Sequence, residues 1–443
     1  MRFDPMHDRR IALADCDNFF VSCERRADAS LAGRPVVVLS GNDGCVISRS
    51  NEAKALGVAM GSPYFKISRM LAYNGVAVRS ANHRLYREIS GEVMSLISRF
   101  TDVQEVYSID ECFFNIGIPS IKDPAAYARE VRRAVCERCR IPVSIGIAPT
   151  KTLAKLGADY AKKHAESRGV FAVNAVRYND ARFMGQFSCR DVWGVGARLA
   201  NALSLCGVRT AARLAAQDDA RIKSRFGLPL LNTVWELRGF SVYPIAPYRA
   251  KQKSVLVSRS FGTAVTTFAQ LADAISAFAA AAGARMRNTG QSAGRMRVFA
   301  ATSRFSKGYY ANMKERDFDP PISCDAELIG ASRAMLREIY IEGKAFKKCG
   351  VMLSRLVDES MGEQRSLFAD EVHERRKRAA AAVDRVNREI GHPAVKPAIL
   401  SEIPAAEKVW HPRADYTRTA AQDQHEEHAE RPLRFQSAAE DFL

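Results

Sequence analysis

The chemistry open to this sequence sits in two short acidic segments. Asp15 closes a β-prone run, residues 10–15 (RIALAD), and Asp17 follows it within 15–20 (DCDNFF). Asp110 and Glu111 lie in the Ser-Ile-Asp-Glu bend between two β-rich runs, 103–107 and 112–116. A carboxylate at the end of an apolar strand is costly unless something cationic neutralises it. Both segments pose that problem, and one arrangement answers it for both. Two hard divalent cations about 3.5 to 4 Å apart, bridged by carboxylates, activate a 3′-hydroxyl for attack and stabilise the pyrophosphate that leaves. Mg²⁺ suits such a set, because it takes oxygen ligands and substrate phosphates. Taken singly, either acidic pair reads equally well as turn chemistry or a solvated charge.

The elements around the acids have a readable order. A second β-rich run spans 34–40 (RPVVVLS), and Leu85, Ile89, Val93, Leu96 and Ile97 give 82–99 a helical period. A helix across 124–139, a strand over 142–147 and a helix over 151–163 follow. On that last helix Lys151, Lys155 and Lys162 fall within about 40° of one another at roughly 100° per residue, forming a stripe that by itself would be a solvated face. From about 171 to 240 short helices are broken by glycine. There the stretch 191–196 (DVWGVG), followed by Leu199, Leu203 and Leu205, reads as helix, glycine hairpin and helix. Such a hairpin aims backbone N–H groups at a phosphate without reading bases; an ordinary αα-hairpin is the bland alternative.

Residues 243–253 (YPIAPYRAKQK) read as a linker. Beyond them comes the order strand (254–261), helix (267–287), strand (295–304), strand (308–314), helix (324–340), strand (345–354), a split β-α-β-β-α-β pattern. Arg295, Arg297 and Arg304 alternate with Met296, Val298 and Phe305, so one sheet face is expected to be basic and the other buried. A charged stretch, 373–378 (HERRKR), precedes one more short helix and a polar tail.

Composition narrows the class. A chain of 443 residues implies roughly three or four folding units. Hydrophobic and charged fractions of 47% and 26% are those of a globular protein. A formal net charge of +17 favours a polyanionic partner. Nucleic acid fits better than a membrane surface, since no apolar stretch is long enough to span one and the opening MRFDPMHDRR lacks a signal-peptide core. The protein is therefore expected in the cytosol. Ten scattered cysteines suit free thiols, and Cys136 and Cys139 read as neighbours on a helix face rather than zinc ligands.

With these features in order, the sequence resembles the Y-family translesion DNA polymerases, in particular their UmuC-type branch, the catalytic subunits of bacterial DNA polymerase V. The resemblance runs through 15–24 (DCDNFFVSCE), 45–66 (CVISRSNEAKALGVAMGSPYFK), 107–114 (YSIDECFF), 143–163 (VSIGIAPTKTLAKLGADYAKK) and 192–208 (VWGVGARLANALSLCGV). It implies an α+β multidomain right-hand fold: palm at 8–33 and 75–170, fingers at 34–74, a helix-hairpin-helix thumb at 171–242, the linker at 243–253, a β-α-β-β-α-β little finger at 254–356 and a regulatory tail at 357–443. It further implies error-prone translesion synthesis within the SOS response to DNA damage, in a bacterial cytoplasm and at the nucleoid when active.

By the same resemblance, two Mg²⁺ ions are held by Asp15, Asp110, Glu111 and the backbone carbonyl of Cys16. Phe20 falls at the steric gate, the ring that excludes a ribose 2′-hydroxyl; many relatives carry Tyr there, so bulk is kept and a hydroxyl lost. Phe19, Lys54 and Lys162 map to triphosphate contacts, while Asn51 stands where some branches have a Tyr. Gly194, Gly196, Arg295 and Arg297 map to the DNA backbone. Gln364, Leu367 and Phe368 within 364–368 (QRSLF) resemble the pentapeptide that docks on the sliding clamp. Residues 380–418, with Asn387, Trp410 and Tyr416, resemble a partner-binding region, whereas the final EDFL departs from that pattern. The implied partners are primer-template DNA, a deoxynucleoside triphosphate, the clamp, a UmuD-type processed dimer and RecA. Two rival classes predict different sequences. A non-catalytic clamp and DNA adaptor would have lost the acidic trio, and a nucleotidyl cyclase would not need the glycine hairpin or the split sheet.

Overall fold

The computed structural model describes residues 10–118, 120–173, 181–247, 251–358, 371–390, 394–401 and 415–417. They fall into two compact units, one made from residues within 10–40, 44–247 and 415–417, the other from 41–43 and residues within 251–401.

The first unit is built on strands β1 (Ile11–Cys16), β2 (Val36–Leu39), β3 (Val46–Arg49), β4 (Ala77–Ser80), β5 (Gln104–Val106), β6 (Glu111–Asn115), β7 (Val143–Ala148) and β8 (Val170–Ala172). Five of them form a sheet in the order β5-β6-β1-β7-β8, with β1 antiparallel to both neighbours. The central strand is apolar at successive positions because both of its faces are covered. Ala12, Ala14 and Cys16 join a core with helices Phe19–Ala27, His83–Ile97 and Pro124–Arg138. Ile11 and Leu13 point the other way, into a core shared with helix Lys151–Lys163 and the short helices that follow. Side chains alternate along a strand, so Asp15 has the parity of Leu13 and faces helix Lys151–Lys163.

That helix lies unusually close to the sheet. A Cβ on Gly146 of β7 would stand 2.1 Å from the carbonyl oxygen of Ala154 and 2.2 Å from the amide nitrogen of Ala158, and Gly157 answers it from the helix side. Its start is fixed by Thr150, whose hydroxyl accepts from the Leu153 amide and donates to the Glu236 carbonyl at 2.8 Å. The Glu236 carboxylate, itself 0% exposed, accepts the amides of Thr152, Val242 and Tyr243. Helix Leu228–Leu237 is thereby bolted to helix Lys151–Lys163.

A smaller sheet, ordered β3-β2-β4, has its own core of Val37, Leu39, Val46, Ala53, Val58, Leu71 and Val76. Because β4 pairs in parallel with β2, residues 77–80 belong with this segment, beyond the boundary expected after residue 74. At the β4 edge the Ser80 amide donates to the Tyr416 carbonyl, the Tyr416 amide donates to the Ser80 hydroxyl, and the Tyr416 phenol meets that of Tyr64 at 2.7 Å. The glycine hairpin is present with a reduced first arm: a 3₁₀ turn, Cys189–Asp191, leads to Gly194 at φ +85° and helix Ala197–Leu205.

In the second unit the split pattern appears as read: β9 (Ser254–Val265), helix Phe268–Arg287, β10 (Gln291–Thr302), β11 (Ala311–Ile322), helix Asp325–Ile339 and β12 (Phe346–Asp358), with sheet order β11-β10-β12-β9. Met296 and Val298 are buried as the alternation requires, but the opposite face is not simply basic. Arg295 pairs with Glu315 and Asp317, and Arg297 with Glu315, because β11 places those acids directly across from them. Phe305, expected in the core, is 99% exposed, since β10 ends at Thr302 and the ring sits in the following turn. The last helix is longer than expected, Glu371–Ile390, and Arg287 joins it to the domain by bonding both Asp325 and Asp384. All ten cysteines are free. Among the described residues no helix is long and apolar enough to cross a membrane. The stretch 364–368, Trp410 and the final residues lie outside the described residues.

The close approach yields a test. Gly146→Ala should destabilise the protein by about 3 kcal/mol, since backbone rather than a flexible side chain must move. Urea unfolding measures it, and an unchanged midpoint would contradict the packing described.

Candidate active site

The two acidic segments meet where β1 ends. Asp15 stands opposite Glu111 on β6 and opposite Ser144 on β7. Asp110 is held at the bend: its carbonyl accepts the Cys16 amide at 2.9 Å, and its carboxylate accepts the Ser108 hydroxyl at 2.6 Å. The same hydroxyl oxygen accepts the Glu111 amide, so Ser108 shapes the whole turn. The thiol of Cys16 is buried, which leaves its carbonyl as the group it can offer.

The lysine stripe is not a solvated face. It lies along these acids and meets one after another. Lys151, almost fully buried, pairs with Glu105. Lys155 pairs with Glu111 at 2.6 Å, and Lys162 with Asp15 at 2.8 Å and Asp17 at 3.3 Å. Ser144 donates to both oxygens of Asp17, fixing the second partner of Lys162. Burial, opposed by Lys162 and reinforced by Glu111 and Asp110, pushes the Asp15 carboxyl up to about 6. Burial pulls the Lys162 ammonium down, but Asp15 and Asp17 outweigh it and hold it above its ordinary range.

Among the described residues no three carboxylate, thiol or imidazole groups form a closed cage for a cation. What the site offers instead is a crowd of hard oxygen donors, among which the charged form of Asp15 is disfavoured chiefly by burial. Those donors fit Mg²⁺, which needs few protein ligands beyond one or two carboxylates. Lysine ammoniums occupy two of them here.

A second group of side chains lines the same region. Asn18, at φ +48°, precedes helix Phe19–Ala27 and donates its amide to the Asn51 Oδ1 at 3.1 Å. Lys54 donates to the same oxygen at 3.2 Å. Burial, then the nearby positive charges of Lys162 and Arg49, lower the Lys54 pKa. Phe19 is a core residue, and only its backbone at the helix start is available to an anion. Phe20 is half-buried and rests on Tyr86. Near Gly194, Trp193 donates its indole N–H to the Tyr107 hydroxyl at 2.9 Å, beside Lys155.

Several of these positions were not legible as functional. Ser144, Asn18 and Tyr86 act through partners far away in sequence, and no spacing rule announces them. Gly146 and Gly157 carried a signal in principle, as glycines inside a strand and a helix.

Comparisons with known proteins place the chain in a family. Residues 14–159 match the impB/mucB/samB family and residues 252–367 match that family's C-terminal domain. Protein UmuC of Salmonella typhimurium is 36% identical over 81% of this chain and 86% of its own length. Protein MucB of Escherichia coli is 35% identical over 77% of this chain and 82% of its own. Among solved structures, a Y-family DNA polymerase chimera superposes with a TM-score of 0.64 at 21% identity, covering 79% of this chain and 99% of that one.

If lysines occupy the carboxylates that a divalent ion would take, removing one should favour the ion. Lys155→Met is expected to tighten Mn²⁺ binding to the DNA-free protein by about tenfold, the effect of deleting one charge roughly 6 Å away in water. Calorimetric or electron-spin-resonance titration reads it, and weaker binding would show that Lys155 supports the site rather than competing for it.

Proposed function

The chain belongs to the impB/mucB/samB family, has the Y-family fold and is a DNA-directed DNA polymerase, and from that premise we propose that it carries out error-prone translesion synthesis by two-metal nucleotidyl transfer in the SOS response. The observation that carries the mechanism is the convergence of Asp15, Asp110 and Glu111 at one strand end beneath a helix that answers them with lysines.

In this reading Asp15, Asp110, Glu111 and the Cys16 carbonyl hold two Mg²⁺ ions, which when bound supply Lewis acidity for the primer 3′-hydroxyl and charge neutralisation for the departing pyrophosphate. The protein's own residues do the positioning. Lys54 and Lys162 converge from two elements on the path of a triphosphate, a polyanion that relieves their mutual repulsion. Asn51 holds Lys54 in place and ties it to Asn18, one residue before the helix that presents Phe19 and Phe20. Phe20 then lies under the incoming sugar, where its ring excludes a 2′-hydroxyl.

The remaining parts take their family roles as part of the proposal. Residues 8–33 and 75–170 apart from β4 act as palm, 34–74 together with β4 as fingers, 171–242 as thumb, 254–356 as little finger and 357–443 as a regulatory tail. Gly194 and Gly196 follow the DNA backbone. Arg295 and Arg297 can do so only by exchanging Glu315 and Asp317 for phosphates. Residues 364–368 would dock on the sliding clamp, and a UmuD-type processed dimer and RecA would complete the active complex.

Primer extension with Mg²⁺, with and without those two partners, tests the core of this reading. Asp110→Ala should lower the rate by about a thousandfold, the equivalent of several kcal/mol of lost transition-state stabilisation. Undiminished synthesis by the variant overturns the metal assignment. Few contacts around the nascent base pair should also make synthesis inaccurate, so a gap-filling assay is expected to return far more mismatches than a proofreading replicase. Equal accuracy would refute that.

A further inference from the structure

We propose that Tyr86, with His83 beside it, is a positioning residue for sugar discrimination: the two rings form a fixed plate against which Phe20 is held at the height that excludes a 2′-hydroxyl. The inference rests on reading Phe20 as the ring that meets the sugar.

Phe20 is the second residue of helix Phe19–Ala27, only half-buried, and a phenyl ring at a helix start has several rotamers open to it. One contact limits them. The Tyr86 ring lies 4.6 Å from it, nearly parallel at 17°. His83 stands edge-on to both, at 5.9 Å and 84° from Phe20 and at 6.0 Å and 83° from Tyr86. The three rings make a stacked pair with a perpendicular side wall.

The Tyr86 ring of the plate is itself anchored. Tyr86 is completely buried, and its hydroxyl donates at 2.6 Å to Glu24, also buried, on the helix that carries Phe20. His83 and Tyr86 are three residues apart and so share a face of helix His83–Ile97. That helix is started by Asn82, which accepts the Leu85 amide, and the preceding residue is tied to the sheet by the Ala81 amide donating to Leu39. The ring beneath Phe20 is thus held from two sides, by Glu24, 62 residues away on the Phe20 helix, and by the bond that ties Ala81 to Leu39.

Discrimination against a single hydroxyl depends on clearance, and a displacement of about 1 Å is enough to change a rate by orders of magnitude. A Phe20 ring free to tilt keeps its size but loses its height. The Tyr86 hydroxyl never reaches the nucleotide; its contribution passes through the position of Phe20.

The test is the ratio of kcat/KM for a deoxynucleotide to that for the matching ribonucleotide on one primer-template. A general loss of folded enzyme lowers both terms and leaves the ratio alone. Tyr86→Leu should lower the ratio roughly tenfold, Tyr86→Phe should lower it far less because the ring remains and only its anchor to Glu24 is lost, and His83→Ala should lower it about threefold. Phe20→Ala is run alongside. If Phe20→Ala leaves the ratio intact, the steric-gate reading itself fails. If Phe20→Ala lowers the ratio while Tyr86→Leu and His83→Ala leave it unchanged, only the plate fails. Should Tyr86→Leu not fold, judged by its thermal melt, the exposed His83→Ala decides: a lowered ratio supports the plate and an unchanged one overturns it.

Discussion

Everything in the first unit depends on how near helix Lys151–Lys163 comes to β7. At Gly146 and Gly157 backbone meets backbone, and no side chain holds the two apart. Lysine stems reach only so far, so a helix displaced outward by even one methyl group would leave its ammoniums short of the carboxylates below. The close approach converts a stripe of cations into three specific ion pairs, with Glu105, Glu111 and the Asp15/Asp17 pair. Glu236 guards the same geometry from the other side, since its buried carboxylate takes an amide from the helix start and two from the segment after helix Leu228–Leu237.

Those ion pairs solve an electrostatic problem that the fold creates. Three acids gathered at a strand end repel one another, and burial removes the water that would screen them. Lysines make the gathering tolerable without closing the site, because an ammonium on a flexible stem yields to a better cation more readily than a fixed ligand does. Burial still raises the Asp15 pKa against the pull of Lys162.

The second unit applies the opposite policy to its charges. On its sheet Arg295 and Arg297 are matched by Glu315 and Asp317 on the neighbouring strand, so the surface is zwitterionic until a stronger anion competes. Behind it, buried Arg287 bonds acids from two helices and makes helix Glu371–Ile390 part of the domain rather than part of a free tail.

Much of this was legible in the residues alone. The strand ending at Asp15, the helix over 82–99, the acid-bearing bend, the lysine stripe and the split β-α-β-β-α-β unit all follow from periodicity and turn chemistry, which are local. So does the burial of Met296 and Val298, a matter of alternation. Facts about pairs of distant residues were not legible. That the stripe would lie on the acids, that β11 would neutralise the arginines, that Tyr416 would cap the edge of β4 and that Tyr86 would stack on Phe20 each need the chain to be folded first. The sequence by itself determined which elements form and which side chains can do chemistry, because those depend on neighbours along the chain. Only the tertiary structure decided which charges meet and which rings touch, because a side chain's partners are set by the packing of backbones, here by two glycines that let a helix come down onto a sheet.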